Sequence, residues 1–321
     1  MSENLKQALD ERLDVICFGG EDWWYHNRGH IDMQLMRRFA RRGATLYVNS
    51  IVMQKPRLGK GSNFGMRLTR KLKSIFRGLQ LTEAGFWVYS PVFIPMHHVP
   101  SLRKLNAWLL RGQLWLVRQR LRIRRPLVWV ACPAACDIAL KLPRQNLIYQ
   151  RTDRYEEYPH VDKAIVQEFD RRLKKSADLT VYVNRRLMQE EQAACRRAFF
   201  LDHGVDYSLF ARPSRNGFPE ELRGIARPII GFFGGIDDHT SDVEFLVKVI
   251  DLLPEMNFVL VGKASVNCTE LGKRPNVRLL GQRPYERIPD YGRQFDVAIM
   301  PCGRMNGFAP AIPSNSRSTS L

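Results

Sequence analysis

Short, continuously apolar runs recur along this chain, and the stretches between them carry helical periodicity. LDVICFGG (13–20), ATLYVNSI (44–51), FWVYSPV, PLVWVACP, NLIYQRTD and ADLTVYVN (177–184) each read as a buried strand, too apolar and β-branched for a loop. Between the first two, IDMQLMRRFARRG reads as a helix closed by Gly43 at its C-terminal cap. A charged helix is expected over 168–177, and RRAFFLDHGVDYSLF carries a short strand into a turn at His203-Gly204-Val205-Asp206. The pattern restarts near Arg227 with PIIGFFGGI, the helix SDVEFLVKVIDLLPE and the strand NFVLVG. NVRLLG, a short segment with Pro284 and Pro289, and FDVAIMP follow, the last read as another buried strand.

Strand, helix and strand in repeated succession build a parallel sheet covered by helices. The expected fold class is α/β, with two doubly wound domains in tandem. The first spans 1–210 and the second 228–301. Between them, 211–227 is rich in proline and glycine and reads as a linker. The tail 302–321 is small and polar and has neither periodicity.

Charge changes this picture more than size does. The net charge is +18, yet residues 51–150 hold 18 Lys/Arg against two acids, while 201–321 hold 14 against 14. The excess is concentrated in MRLTRKLKSIFRGL (66–79) and SLRKLNAWLLRGQLWLVRQRLRIRRP (101–126). In the second, Leu105, Trp108, Leu109, Leu114, Trp115, Val117 and Leu121 recur at helical spacing between arginines. A basic amphipathic helix with tryptophans suits an anionic membrane surface, and a core-packed helix with a solvated basic face gives the same pattern. No nucleic-acid partner is expected, because no recognition-module motif accompanies the charge. No apolar run is long enough to span a bilayer, and the polar start lacks the plan of a signal peptide, so a cytoplasmic location is expected. The six cysteines are scattered; CPAAC (132–136) is the one close pair and reads as reduced thiols at a strand end, with no metal site.

The glycine pair after LDVICF, the Arg28/His30 pair opening the first helix, ADLTVYVN, HGVDYSLF, IIGFFGGI, FVLVG and LLGQRPYERIPDYGRQFDVAIMP occur in a definite order and spacing. That succession resembles the GT-B glycosyltransferases, in particular family-4-like enzymes of bacterial surface-polysaccharide synthesis of the teichuronic acid type. The resemblance implies a GT-B fold and transfer of a sugar from a UDP- or GDP-linked donor to a lipid-linked or glycan acceptor. It implies no cofactor and no metal. Work at the inner membrane face would follow, the basic first domain meeting the anionic surface.

A sugar nucleotide carries a diphosphate, which glycine-rich turns opening helices can cradle with backbone N–H groups. Gly19, Gly20, Gly234 and Gly235 stand at two such turns, and neither turn has the G-x-G-x-x-G fingerprint of a nicotinamide enzyme. Lys263, after FVLVG, is placed to neutralise phosphate charge or to be a solvated loop lysine. Gly281 and Arg283 would lie beside the nucleobase by resemblance. Asp153 is the candidate general base on the acceptor hydroxyl, or an N-cap. His30 would contact a phosphate or the acceptor, or hold the helix start. Two rivals stay open: a sugar-nucleotide epimerase of the same fold, and a non-catalytic membrane-binding remnant.

Enzymes of this type continue with a Glu-bearing helix that binds the donor sugar, and the tail does not spell one. Read from Cys302 onward in a frame shifted by two nucleotides, however, the codons of 311–321 permit Asn-Pro-Ile-Lys-Leu-Lys-Glu-Tyr-Leu-Ala. A frameshift near Pro301, with a truncated and inactive donor site, is therefore expected.

Overall fold

A computed structural model describes residues 12–25, 29–51, 64–94, 99–158, 161–211, 217–236, 241–264 and 266–301. The chain divides into two compact units, Met1–Asp202 and His203–Leu321. The expected tail 302–321 and its codon pattern lie outside the described residues.

The first unit runs β1 (Val15–Phe18), α1 (Ile31–Phe39), β2 (Thr45–Val48), α2 (Phe64–Phe76), β3 (Leu79–Leu81), β4 (Trp87–Tyr89) and α3 (Pro100–Leu121). It continues through β5 (Leu127–Val130), α4 (Cys136–Ala139), β6 (Asn146–Arg151), α5 (Lys163–Ser176), β7 (Leu179–Tyr182), α6 (Arg185–Glu191) and β8 (Ala198–Phe200). Eight strands form one sheet in the order β3-β4-β2-β1-β5-β6-β7-β8, parallel except for β3. The continuous apolar runs have a simple cause: both faces are covered. Alternate residues feed two cores. Ile16, Phe18, Leu46, Val48, Val128 and Val130 pack with Leu110, Leu114 and Val117 of α3 and with Phe169 and Leu173 of α5. Val15, Cys17, Tyr47 and Trp129 pack with Trp23 and with Met33 and Met36 of α1. The expected charged helix begins at Lys163, five residues early, because Asp162 accepts from the Ile165 N–H and caps it there.

In the second unit, α7 (Tyr207–Phe210) precedes β9 (Ile229–Phe233), α8 (Val243–Leu252), β10 (Asn257–Val261), α9 (Thr269–Gly272), β11 (Val277–Gly281), α10 (Ile288–Gly292) and β12 (Val297–Ala298). Its strands are all parallel, in the order β11-β10-β9-β12. Phe258 and Leu260 pack with Leu246 and Ile250 of α8, and Val259 and Val261 with Ile288 and Tyr291 of α10.

Three expectations need correction. The turn expected at HGVD opens a one-turn helix, because Asp206 caps it by accepting from the Leu209 N–H. Phe210 of that helix packs into the second unit's core, stacks edge-on against Tyr285, and gives its carbonyl to Arg293. Residues 203–210 therefore group with the second unit, although 1–210 was expected to form the first. FDVAIMP is only a two-residue strand with both residues exposed, because it pairs on one side alone, with β9.

Candidate functional site

In each sheet the connections reverse direction beside the first strand, and ligands of such sheets bind at the C-terminal strand ends near that point. Each unit presents one such edge.

At the first edge, the glycine turn is made by packing. A Cβ on Gly19 would lie 2.0 Å from the buried ring of Tyr47. The Gly19 N–H donates to Val48 O at 2.9 Å, and the Gly20 N–H donates to the Asp32 carboxylate at 2.9 Å. The Tyr47 hydroxyl donates to Asp32 as well, at 3.1 Å. Both backbone donors are thus spent on the fold, and a buried carboxylate stands where a phosphate was expected. This corrects the reading of Gly19 and Gly20 as donor-binding residues. Glu21 and Asp22 add to the local negative charge. Burial pushes the Glu21 carboxyl above the ordinary range, His30 opposes the rise, and Asp32 and Asp22 add to it.

His30 is exposed at the N-cap position of α1 and makes no side-chain cap bond there. Arg28 lies outside the described residues. Asp153 follows β6 and accepts from the Tyr158 hydroxyl at 3.0 Å. The N-cap position of the adjoining 3₁₀ turn falls one residue later, at Arg154. Burial, then Asp153, then Tyr155, raises the Tyr158 hydroxyl far above its usual range, and Glu21 acts on it too. The structure therefore gathers Glu21, Asp153 and Tyr158 at the ends of β1 and β6. Sequence reasoning missed Glu21 and Tyr158, although the two acids directly after the glycine pair were a visible signal.

Beneath this edge lies a buried ionic cluster. Arg151, fully buried, reaches Glu156 at 2.9 Å, Glu191 at 3.1 Å and Asp170 at 3.3 Å. Lys174 bridges Asp170 at 2.5 Å and Glu191 at 2.6 Å, and the Tyr149 hydroxyl donates to Asp170 at 2.8 Å. The aromatic loop after Gly20 is held from another side. Ser74 of α2 donates to Asp22 at 2.9 Å, Arg77 lies over Trp24 at 4.7 Å, and Arg70 lies over Tyr25 at 5.9 Å.

At the second edge, register brings Gly234, Gly235, Lys263 and Gly281 together. Phe233 pairs with Val261, which pairs with Gly281, and Gly262 donates to Gly281 O at 2.9 Å. A residue not foreseen, Gly262, sets the spacing: its Cβ would lie 1.6 Å from Gly234 O. Lys263 is exposed next to it. The acid-rich residues 237–240 lie outside the described residues. Gly281 has φ 70°, and an added methyl would meet nothing within 4 Å, so its requirement is conformational alone. Gly281→Ala is expected to cost about 1–2 kcal/mol in denaturant unfolding; no loss would mean that the loop relaxes freely. Arg283 is held within the unit. Its guanidinium donates to Tyr291 at 3.1 Å and to Glu221 at 3.0 Å, a closed triad within the unit. It props the loop after β11.

Cys132 donates to Ile51 O at 3.3 Å, and burial raises its thiol to about 11. Cys136 is buried and raised to about 12, so both are unreactive thiols. Among the described residues, no group of three His, Cys, Asp or Glu could hold a metal ion, and no helix is long and apolar enough to cross a membrane.

No protein-family profile matches the chain. It is 23% identical over 239 residues to TuaH of Bacillus subtilis, described as a candidate teichuronic acid biosynthesis glycosyltransferase. That match covers 70% of this chain, which spans 57% of the relative's length. Among solved structures, Anabaena HepE in complex with UDP-glucose aligns over 90% of this chain and 74% of its own, with TM-score 0.59 and 14% identity. The trehalose 6-phosphate synthase of Burkholderia multivorans aligns over 90% and 78%, with TM-score 0.54 and 10% identity. Two doubly wound units with these strand orders, matched along nearly the whole chain, give it the GT-B fold of glycosyltransferases.

Proposed function

We propose that this chain is a glycosyltransferase that moves a sugar from a UDP- or GDP-linked donor to a lipid-linked or glycan acceptor, at the inner face of an anionic membrane. The observation that carries it is the contrast between the two sheet edges. The second is lined by Gly234, Gly235, Gly262 and Lys263, which admit a diphosphate closely and meet its charge. The first gathers Glu21, Asp153 and Tyr158. Carboxylates there suit an acceptor hydroxyl, from which Asp153 would take the proton, with His30 beside them as an acceptor contact. The likeness to HepE, solved with UDP and with UDP-glucose, supports the donor class. The frameshift expectation is a separate proposal, tested by sequencing the gene.

Titration calorimetry on the full chain tests the reading. UDP-glucose or GDP-mannose is expected to bind, and Lys263→Ala to weaken the binding about 10-fold, the loss of one charge-assisted phosphate contact. Absence of binding by either nucleotide sugar would leave the remnant reading standing. Turnover of free donor without any acceptor would favour the epimerase.

A further inference from the structure

The two basic segments have different fates in the fold. In the first, Arg70 lies over Tyr25, Arg77, just past α2, lies over Trp24, and Lys71 donates to Ser50 O at 3.1 Å, while Lys73 stays exposed. On α3, Lys104, Arg111 and Arg120 stand exposed instead. One face of α3 is committed to the core through Leu110, Leu114 and Val117. Along its flanks, Asn106 and Gln113 bond the backbone of Ile94 and Val92, and Arg103 pairs with Asp137 and Glu168. This fixes the helix in rotation, so the opposite face is presented rigidly.

That outer face is apolar at its centre and cationic at its margins. Trp108 is 69% exposed, Trp115 57%, Leu116 62% and Leu105 41%. Lys104, Arg111, Arg120, Arg122 and Arg124 are exposed around them, and residues 100–125 contain no acid. At the C-terminal end, an open hollow of about 510 Å³ is lined by Trp115, Arg118, Arg122 and Arg124. Exposed tryptophans in a contiguous patch indicate a surface that is covered in use. A second copy of this face would bring like charges together, and Gly112 leaves a gap in the middle of the apolar stripe. An anionic bilayer has neither difficulty. Tryptophan rings settle at the headgroup level, arginines meet lipid phosphates, and the helix lies parallel to the surface.

We infer that the outer face of α3, centred on Trp108 and Trp115, is the surface by which this protein docks on anionic lipid. The inference rests on the peripheral-membrane part of the proposed function and deepens it by assigning the contact. Co-sedimentation with phosphatidylcholine vesicles, with and without phosphatidylglycerol, tests it. The wild-type chain is expected to bind the anionic vesicles, and to be released by salt. Arg111→Gln, Arg122→Gln and Arg124→Gln together are expected to weaken binding roughly 100-fold. Trp108→Ala with Trp115→Ala is expected to weaken it about 10-fold or more. All five side chains are exposed, so the fold is undisturbed. Trp108→Phe with Trp115→Phe keeps apolar contact area and retains most of the binding. It should abolish the quenching of tryptophan emission by brominated lipid that the wild-type chain displays.

If wild type and both sets of variants bind anionic vesicles equally, the assignment to α3 fails while the peripheral-membrane reading survives. Absence of anionic-vesicle binding by the wild-type chain removes both. Absence of bromolipid quenching in the bound wild type also overturns the assignment, as does a dimer in solution that the tryptophan variants split.

Discussion

Arg151→Met is expected to destabilise the first unit by about 3–5 kcal/mol, the cost of breaking a buried ion network from one side. The guanidinium is fully buried and faces Glu156, Glu191 and Asp170. Lys174 shares two of these acids, and Arg154 reaches Glu191 from the rim at 3.8 Å, so neither replaces the lost charge at Glu156. Methionine fills most of the volume, so the loss reports charge more than a cavity. Thermal unfolding should fall by roughly 10 °C in a unit of this size. As a control, Arg196→Ala breaks the exposed 3.4 Å pair with Asp178 and should cost no more than about 1 kcal/mol. Equal effects of the two would show that the buried cluster is not a stabilising unit.

The cluster also sets a pH dependence. Burial alone would raise the Glu156 and Glu191 carboxyls, but Arg151 outweighs it and holds both below the usual value of 4.5. Carboxyls depressed in the folded state stabilise it above that value. Their contribution is therefore present at neutral pH and is lost as pH falls below about 4.5 through the folded-state values. Acid titration of wild type should show this loss, and Arg151→Met should show less of it.

Gly262→Ala is the second large effect. The added methyl would stand 1.6 Å from Gly234 O and 2.7 Å from its carbonyl carbon. Both are backbone atoms, so no rotamer change relieves the clash, and β9 and β10 must separate at their C-terminal ends. A loss of at least about 3 kcal/mol in the second unit is expected, at the upper end of overpacking costs. Nucleotide-sugar binding should vanish in calorimetry even at temperatures where the unit stays folded. Retained binding would mean that the donor lies away from this edge.

The fold was legible because a sheet buried on both faces leaves continuous apolar runs, and these survive in Val15–Phe18, Leu127–Val130 and Asn257–Val261. β3 was missed because Leu79–Leu81 is an exposed, three-residue edge strand with no such run. Glycine turns were legible as turns, yet their function was not. Gly19 answers to the ring of Tyr47, which is distant in sequence, and Gly20 to a carboxylate twelve residues on. Nor did the sequence show what holds Arg283, because Glu221, its partner, lies in the stretch read as a linker. Local pattern shows where the backbone bends. Which polar groups are already satisfied depends on long-range pairing.

That stretch has a practical consequence. Its prolines and glycines make it the natural place to cut the chain for separate expression. A fragment beginning at residue 211 would leave Phe210 behind, open the apolar cluster around Leu222 and Ile225, and deprive Arg293 of its carbonyl partner. A fragment beginning at His203 keeps the Asp206-capped turn and carries its own lid over that cluster. The second unit thus owns residues on both sides of its apparent linker, and residues 203–210 are the ones a designer of minimal fragments would discard first.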